Sequence, residues 1–333
     1  MNTNNKRGLS RLLILACLLS LWSCFATRSG DKIRGFNLES PPMEIGEDEM
    51  NEIKISKANW VAIVPYGYTP RGESKVYYDS PFQWWGERKE GVVEMIKSAK
   101  SSGFKVMLKP QVWIPGSWVG DYLPESMDVW EKSVTEFTLV QASLAQEQRV
   151  DIFCFATEYK IIATEYPEVF RRLIKSIRQV YDGKLTYAAN WDEYEQVPFW
   201  SDLDFIGVNA YFPLVQNKVP TATQLEKAWE PKIQKLNELH QRYQKPILYT
   251  EFGYRSVEGA AGNQWEVESN PFNQDAQSVA FQSFFANAWD QPWCAGGFIW
   301  KWRFFDDAGG LNDKSYSPQG KKALDVIKGA YSN

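Results

Sequence analysis

The sequence has one histidine, His240, and four cysteines in 333 residues. One imidazole cannot build a His-rich metal centre, and it serves a Ser-His-Asp triad only if His240 itself takes part. His240 falls on the apolar face of a predicted helix, with Trp229, Ile233, Leu236 and Tyr243. Core packing is the expectation there. The cysteines form no cluster. Cys17 and Cys24 lie near the N-terminus, and Cys154 and Cys294 stand in apolar contexts. Those two are expected to be buried free thiols, with no disulfide framework. No glycine-rich phosphate loop follows any strand-like run, which argues against a dinucleotide-binding fold. A net charge of −4 and a pI near 5.4 offer no basic face for nucleic acid. No metal and no cofactor are expected.

Aromatic residues, by contrast, are abundant. They make up 15% of the chain and include 15 tryptophans. A large core uses some of them. The surplus suggests a site that stacks flat apolar faces, as sugar rings present.

The first residues read as a targeting segment. Lys6, Arg7 and Arg11 precede an apolar run of ten, Leu12 to Leu21, too short to span a bilayer. Leu21-Trp22-Ser23-Cys24 then resembles a bacterial lipobox, with Trp22 as a departure from it. The expectation is a lipoprotein-type signal peptide over 1–23, lipidation of Cys24 and a tether over 24–32. Ordinary cleavage near Ala26 is the alternative. An exported protein held by its lipid at a membrane of the bacterial cell envelope follows. Which membrane, which side and the oligomeric state stay open.

From residue 33 to 330 strand-like and helix-like runs alternate. Strands are predicted over 34–38, 60–66, 105–113, 151–158, 184–190, 204–211, 246–253 and 296–302. Helices are predicted over 47–57, 87–102, 127–148, 165–181, 223–243, 274–289 and 318–328, with a short helical piece over 192–200. Alternation argues for a parallel sheet. Eight units argue for its closure into a single-domain (β/α)8 TIM barrel. Long connections over 67–86, 114–126, 254–273 and 303–317 each follow a strand. All four are therefore expected at one face, the functional face of such a barrel.

Two predicted strands end on a carboxylate. Asp151-Ile152-Phe153-Cys154-Phe155-Ala156-Thr157-Glu158 is an apolar run closing on Glu158, and Pro246-Ile247-Leu248-Tyr249-Thr250-Glu251-Phe252-Gly253 carries Glu251. The two glutamates are 93 residues apart, room for three βα units of about 30 residues. They would face each other from strands four and seven. Hydrolysis of a glycoside with retention needs two carboxyl groups about 5 Å apart, one acid/base and one nucleophile. A lone strand-end glutamate is ordinarily a surface charge, but a pair so placed points to catalysis. Lys109 and Trp113 end strand three. Lys109 is expected to bond a sugar hydroxyl or to pair with a glutamate, since an unpaired buried ammonium is costly. Asn190, Trp191 and Asn209 end strands five and six. Substrate contact and structural hydrogen bonding stay equally open for them. Trp84, Trp85, Trp118 and Trp265 lie in the long loops and suit stacking on sugars at outer subsites, or packing of the loops themselves.

On Gly35-Phe36-Asn37, Trp60-Val61-Ala62-Ile63, Thr157-Glu158, Ile206-Gly207-Val208-Asn209-Ala210-Tyr211, Thr250-Glu251-Phe252-Gly253-Tyr254 and Gly297-Phe298-Ile299-Trp300-Lys301-Trp302, the chain resembles the clan of retaining barrel glycosidases. Within it the chain is most similar to glycoside hydrolase family 113, a β-mannanase family. The resemblance implies a glycoside hydrolase acting on β-1,4-linked mannan or manno-oligosaccharides, with an oligo- or polysaccharide as partner. It implies Glu158 as acid/base and Glu251 as nucleophile. By the same resemblance Tyr211 donates to the nucleophile, Trp300 floors the sugar at the cleavage point, and Asn37 joins the substrate-binding set. Much of the clan has Asn before the acid/base, where this chain has Thr157. That departure leaves open which group reads the sugar 2-hydroxyl. A glucan or xylan as substrate, or a non-catalytic glycan-binding lipoprotein, are the alternatives. The second has no reason to keep both glutamates.

Overall fold

Eight strands hydrogen-bond into a closed parallel barrel. The structure, a computed structural model, describes residues 32–332. The expected signal peptide, Cys24 and nearly all of the tether lie outside the described residues. The strands are β1 (Ile33–Leu38), β2 (Trp60–Ile63), β3 (Lys105–Leu108), β4 (Ile152–Thr157), β5 (Lys184–Asn190), β6 (Ile206–Asn209), β7 (Ile247–Phe252) and β8 (Cys294–Trp302). Each pairs with its sequence neighbours, and β8 returns to β1, where Asn37 lies opposite Trp300. The architecture is the (β/α)8 barrel expected from the alternation.

Period-2 alternation divides each strand between two cores. Ile33, Trp60, Ala62, Met107, Ile152, Cys154, Ala188, Leu248 and Phe298 point inward and fill the barrel. Gly35 is a condition of that filling, because a Cβ there would come within 2.3 Å of the Phe298 ring. Neighbouring residues point outward to the helices. On β7, Phe252 stacks on Phe284 of the helix that follows, with centroids 4.0 Å apart and planes 8° apart. Such pairs add about 0.5–1.5 kcal/mol beyond area burial. They fix the strand that carries Glu251. Cys154 and Cys294 are both buried.

The helices are α1 (Glu47–Glu52), α2 (Lys89–Ser101), α3 (Met127–Glu147), α4 (Lys160–Glu165), α5 (Pro167–Ile177), α6 (Ala222–Tyr243), α7 (Gln274–Phe284) and α8 (Lys322–Ser332). Their apolar stripes follow the helical period. On α5, Val169, Phe170, Leu173, Ile174 and Ile177 are buried, and Pro167 stands in its first turn. Ser126 caps α3 by accepting from the Val129 amide, and Thr221 forms a capping box with Gln224 on α6.

Several predicted elements differ, and proline explains most of the differences. The run predicted over 105–113 stops at Leu108 before Pro110, and the run over 60–66 stops at Ile63 before Pro65. Both chains resume beyond their prolines. Tyr66–Tyr68 and Gln111–Trp113 pair in parallel as a small second sheet above the barrel. The helix predicted over 165–181 begins only at Pro167, because a residue before proline avoids the helical region. A separate helix, α4, precedes it. The segment 192–200 forms successive turns rather than a helix, with Pro198 inside it. His240 is half-buried rather than in the core, and its Nδ1 lies 2.8 Å from the Lys245 carbonyl in the turn before β7.

Candidate active site

The strand ends at one face of the barrel surround a cleft of about 650 Å³. The loops after β3, β5, β7 and β8 contribute to its wall. Among the predicted residues, Trp113, Glu158, Asn190, Trp191, Tyr211, Glu251 and Trp300 line it, together with Thr157. Lys109, Asn209 and Asn37 do not; all three are fully buried.

Glu158 follows the last residue of β4. The β4–β5 register shifts between Cys154 and Thr157, and Glu158 adopts a left-handed φ of 57°. A non-glycine residue held there is strained, and functional sites are where such strain concentrates. Its backbone is tied down by a 2.8 Å bond from its N–H to the Ala188 carbonyl of β5. Both carboxyl oxygens have neutral donors. Asn209 Nδ2 donates to Oε1 at 2.8 Å, and Trp118 Nε1 donates to Oε2 at 2.8 Å. Thr250 Oγ1 donates to Asn209 Oδ1 at 2.8 Å, which fixes the orientation of that amide. Burial, then the negative Glu251 nearby, push the Glu158 pKa up to about 7 against the pull of Asn209, Trp118 and Lys109.

Glu251 is surrounded differently. It is 5% exposed, and its carboxylate pairs with the fully buried ammonium of Lys109. Gln111 Nε2 donates to the same Oε1 at 2.9 Å, and the Tyr211 hydroxyl donates to Oε2 at 2.7 Å. Burial first, then the charge of Glu251, push the Tyr211 hydroxyl far above its ordinary range, so it remains a donor. Lys109 therefore pairs with a glutamate, one of its two expected roles. Its Nζ also stands 5.2 Å from the centroid of the Trp300 ring.

Asn37 donates to the carbonyls of Thr250 and Phe298, at 3.1 and 3.2 Å. It ties β1 to β7 and β8 beneath the cleft. Asn190 bonds Asp192 at 2.9 Å at the cleft wall. Trp191 stacks on Trp265 of the β7–α7 loop, with centroids 5.8 Å apart and planes 9° apart. Trp84 lies outside the cleft lining and packs edge-on against Phe305. Trp85 is half-buried against the core.

Sequence reasoning missed Gln111, Tyr66, Gln264 and Tyr316, and it treated Trp118 only as a stacking candidate. Gln111 was findable. It lies two residues past Lys109, and in extended chain two residues apart share a face. Trp118 reaches Glu158 only through the course of its loop, which no local pattern encodes. Glu193 was also missed. It is fully buried, receives the Tyr187 hydroxyl at 2.5 Å, and burial pushes its pKa up to about 8.

Two carboxyl groups at one cleft, one against neutral donors and one against an ammonium and a phenol, can divide proton transfer from nucleophilic attack. Among the described residues no group of three or more His, Cys, Asp or Glu could hold a metal ion.

No curated protein sequence matched. The structure of the GH113 β-mannanase AaManA from Alicyclobacillus acidocaldarius in complex with ManMIm is 26% identical. It aligns over 90% of this chain and 97% of that one, with a TM-score of 0.80. A second, a complex of a GH113 β-1,4-mannanase, is 22% identical over 91% of this chain and 99% of that one, with a TM-score of 0.79. A Ruminococcus gnavus β-glucuronidase shares the fold at 16% identity and a TM-score of 0.62, over 90% of this chain and 50% of that one. The family model of Glycoside Hydrolase Family 113 matches residues 42–321. With that match running through every strand from β2 to β8 and both carboxylates, the chain belongs to glycoside hydrolase family 113 and is a glycoside hydrolase.

Proposed function

We propose that this enzyme cleaves β-1,4-linked mannan or manno-oligosaccharides with retention of anomeric configuration. Glu251 attacks the anomeric carbon while Glu158 gives its proton to the departing glycosidic oxygen, and a glycosyl–enzyme ester forms on Glu251. Glu158, now a carboxylate, takes a proton from water. That water attacks the same carbon and releases Glu251. The unequal surroundings of the two glutamates carry the reading. Glu158 near pH 7 is still substantially protonated, as a general acid must be. The negative charge of Glu251 is compensated by Lys109 and by donors from Gln111 and Tyr211, as a nucleophile requires. Family membership and the likeness to a GH113 β-mannanase at 26% identity support mannan as the substrate.

The test has two parts. Reducing-sugar release is measured on β-mannan, glucomannan, β-glucan and xylan, with Glu251→Ala as control. Release from mannan, lost in the variant, is expected; release from xylan or β-glucan alone would change the sugar and keep the mechanism. The anomer formed first is then read by NMR, and an α-product from the β-linked substrate refutes retention. Glu158→Ala should keep partial activity on substrates with good leaving groups, whereas Glu251→Ala should not.

A further inference from the structure

The backbone that carries Glu158 bends twice within two residues. Glu158 has a φ of 57°, and Tyr159 follows with φ −79° and ψ 57°. The second pair of angles is an inverse γ-turn, closed by the Lys160 N–H donating to the Glu158 carbonyl at 2.9 Å. The helix α4 begins at Lys160. A non-glycine residue in the left-handed region persists only where its surroundings hold it there. On the strand side the Glu158 N–H is held by the Ala188 carbonyl. On the helix side the holding contact is a side chain. Lys160 Nζ donates to Asp192 Oδ2 at 2.6 Å. Asp192 lines the cleft and is fixed in turn. The Asn190 amide donates to its Oδ1 at 2.9 Å, and the next residue, Glu193, is anchored in the core by the Tyr187 hydroxyl. The Lys160 and Asp192 side chains are 34% and 28% exposed. An ion pair so accessible to water adds little to stability. Its place is what matters: it joins the segment just past Glu158 to the segment just past Asn190.

We propose that Lys160 and Asp192 are positioning residues that clamp the ends of β4 and β5 together and so aim the Glu158 carboxyl at the departing glycosidic oxygen. The inference rests on the acid role given to Glu158 above and deepens it. Neither residue transfers a proton. Without the clamp the turn at Glu158 and Tyr159 relaxes, and the carboxyl leaves its line to the leaving oxygen. A misplacement of about 1 Å can cost about a hundredfold in rate. Asn209 and Trp118 still bond the carboxyl, so a loss of about tenfold is expected. Because the clamp acts through an acid, only a leaving group that needs a proton should feel its loss.

The experiment measures kcat/KM for phenol release from two aryl β-mannotriosides, one carrying a 2,4-dinitrophenyl and one an unsubstituted phenyl leaving group. Dinitrophenolate departs without a proton, whereas phenoxide needs one. Lys160→Met and Asp192→Asn are each expected to lower the phenyl value about tenfold and to leave the dinitrophenyl value within twofold of the parent. The double variant is expected to lose no more than either single one, because both remove the same bond. Equal losses on the two substrates, no loss on the phenyl substrate, or losses that multiply in the double variant overturn the clamp. Glu158→Ala separates that failure from failure of the acid role. A much larger loss on the phenyl than on the dinitrophenyl substrate keeps the acid role whatever the clamp variants show. If Glu158→Ala slows both substrates equally, the acid role falls and the clamp falls with it. A parent that releases neither phenol removes the mannoside reading and the clamp together.

Discussion

Replacing Trp118 with Phe should make the enzyme more active, relative to its own optimum, in alkali. The indole N–H donates to Glu158 Oε2 at 2.8 Å, and Phe keeps an aromatic ring in the loop without that donor. A donor to a carboxylate favours the charged form, so its loss raises the pKa. Hydrogen bonds to charged groups contribute about 1.5–3 kcal/mol when well buried. This one sits at the cleft wall, where water can replace part of it, so about 1.4 kcal/mol is a reasonable loss. That corresponds to about one pKa unit. Glu158 lies near 7 in the parent, so the variant's value moves toward 8. At pH 8 the protonated fraction would rise from about a tenth to about a half, roughly fivefold.

The assay is kcat/KM on a manno-oligosaccharide from pH 4.5 to 10, which reports the free enzyme's acid and base. The parent's alkaline limb should fall through pH 7, where Glu158 gives up the proton the leaving oxygen needs. The Trp118→Phe limb should lie about one unit higher, whatever happens to the maximal rate. A limb that stays in place, or moves toward acid, refutes the assignment of that limb to Glu158.

Two further outcomes follow from buried charge. Lys109→Met should cost about 3–5 kcal/mol in urea unfolding, because it strands a buried carboxylate; Lys109→Met combined with Glu251→Gln should recover most of that loss, and a double variant no more stable than the single one would contradict the pairing. Glu193 has a folded pKa raised to about 8 from an ordinary value near 4.5, so its contribution is fully present below 4.5 and is lost as pH rises toward 8. Glu193→Gln should therefore match the parent's stability at pH 4 and exceed it increasingly up to pH 8, by about 3 kcal/mol at pH 7, read as a rising gap between their thermal midpoints. A parallel pair of pH–midpoint curves would show that Glu193 does not titrate in the fold.

The barrel and its two carboxylates were legible because both are written in short-range pattern. An apolar run of six to eight residues closing on Glu158 or Glu251 encodes strand, burial and strand end at once. The same pattern placed Lys109, Asn190 and Asn209 at strand ends, whereas Tyr211 and Trp300 entered through the family resemblance. What could not be read was which strand-end residues meet. Asn209 and Asn37 are both buried asparagines at strand ends. Asn209 reaches Glu158 across β5, while Asn37 turns to backbone carbonyls of β7 and β8. Register and twist decide that, and neither leaves a trace in one strand's sequence. Loop residues were harder still. Trp118 and Trp265 look alike in sequence, yet one bonds a carboxyl group and the other stacks on an indole.

The proposed division of labour between the glutamates follows from what each would meet in the other's role. An acid must keep its proton until the leaving oxygen takes it. Glu251 instead pairs with the Lys109 ammonium and accepts from Gln111 and the Tyr211 hydroxyl, contacts that fit a carboxylate acceptor rather than a proton donor. A nucleophile must present a free carboxylate. Glu158 meets two neutral donors and no paired cation, and burial and the charge of Glu251 oppose its ionisation. Reversing the roles would set each group against its surroundings. The same comparison explains why Lys109 is buried at all. Burying an ion pair is weak evidence for stability, since desolvation offsets most of the attraction. Its use lies in fixing a charge at the floor of a cleft. Once Glu251 is esterified in the proposed cycle, that charge no longer opposes ionisation of Glu158. Glu158 then becomes a better carboxylate at the step where it must accept a proton from water.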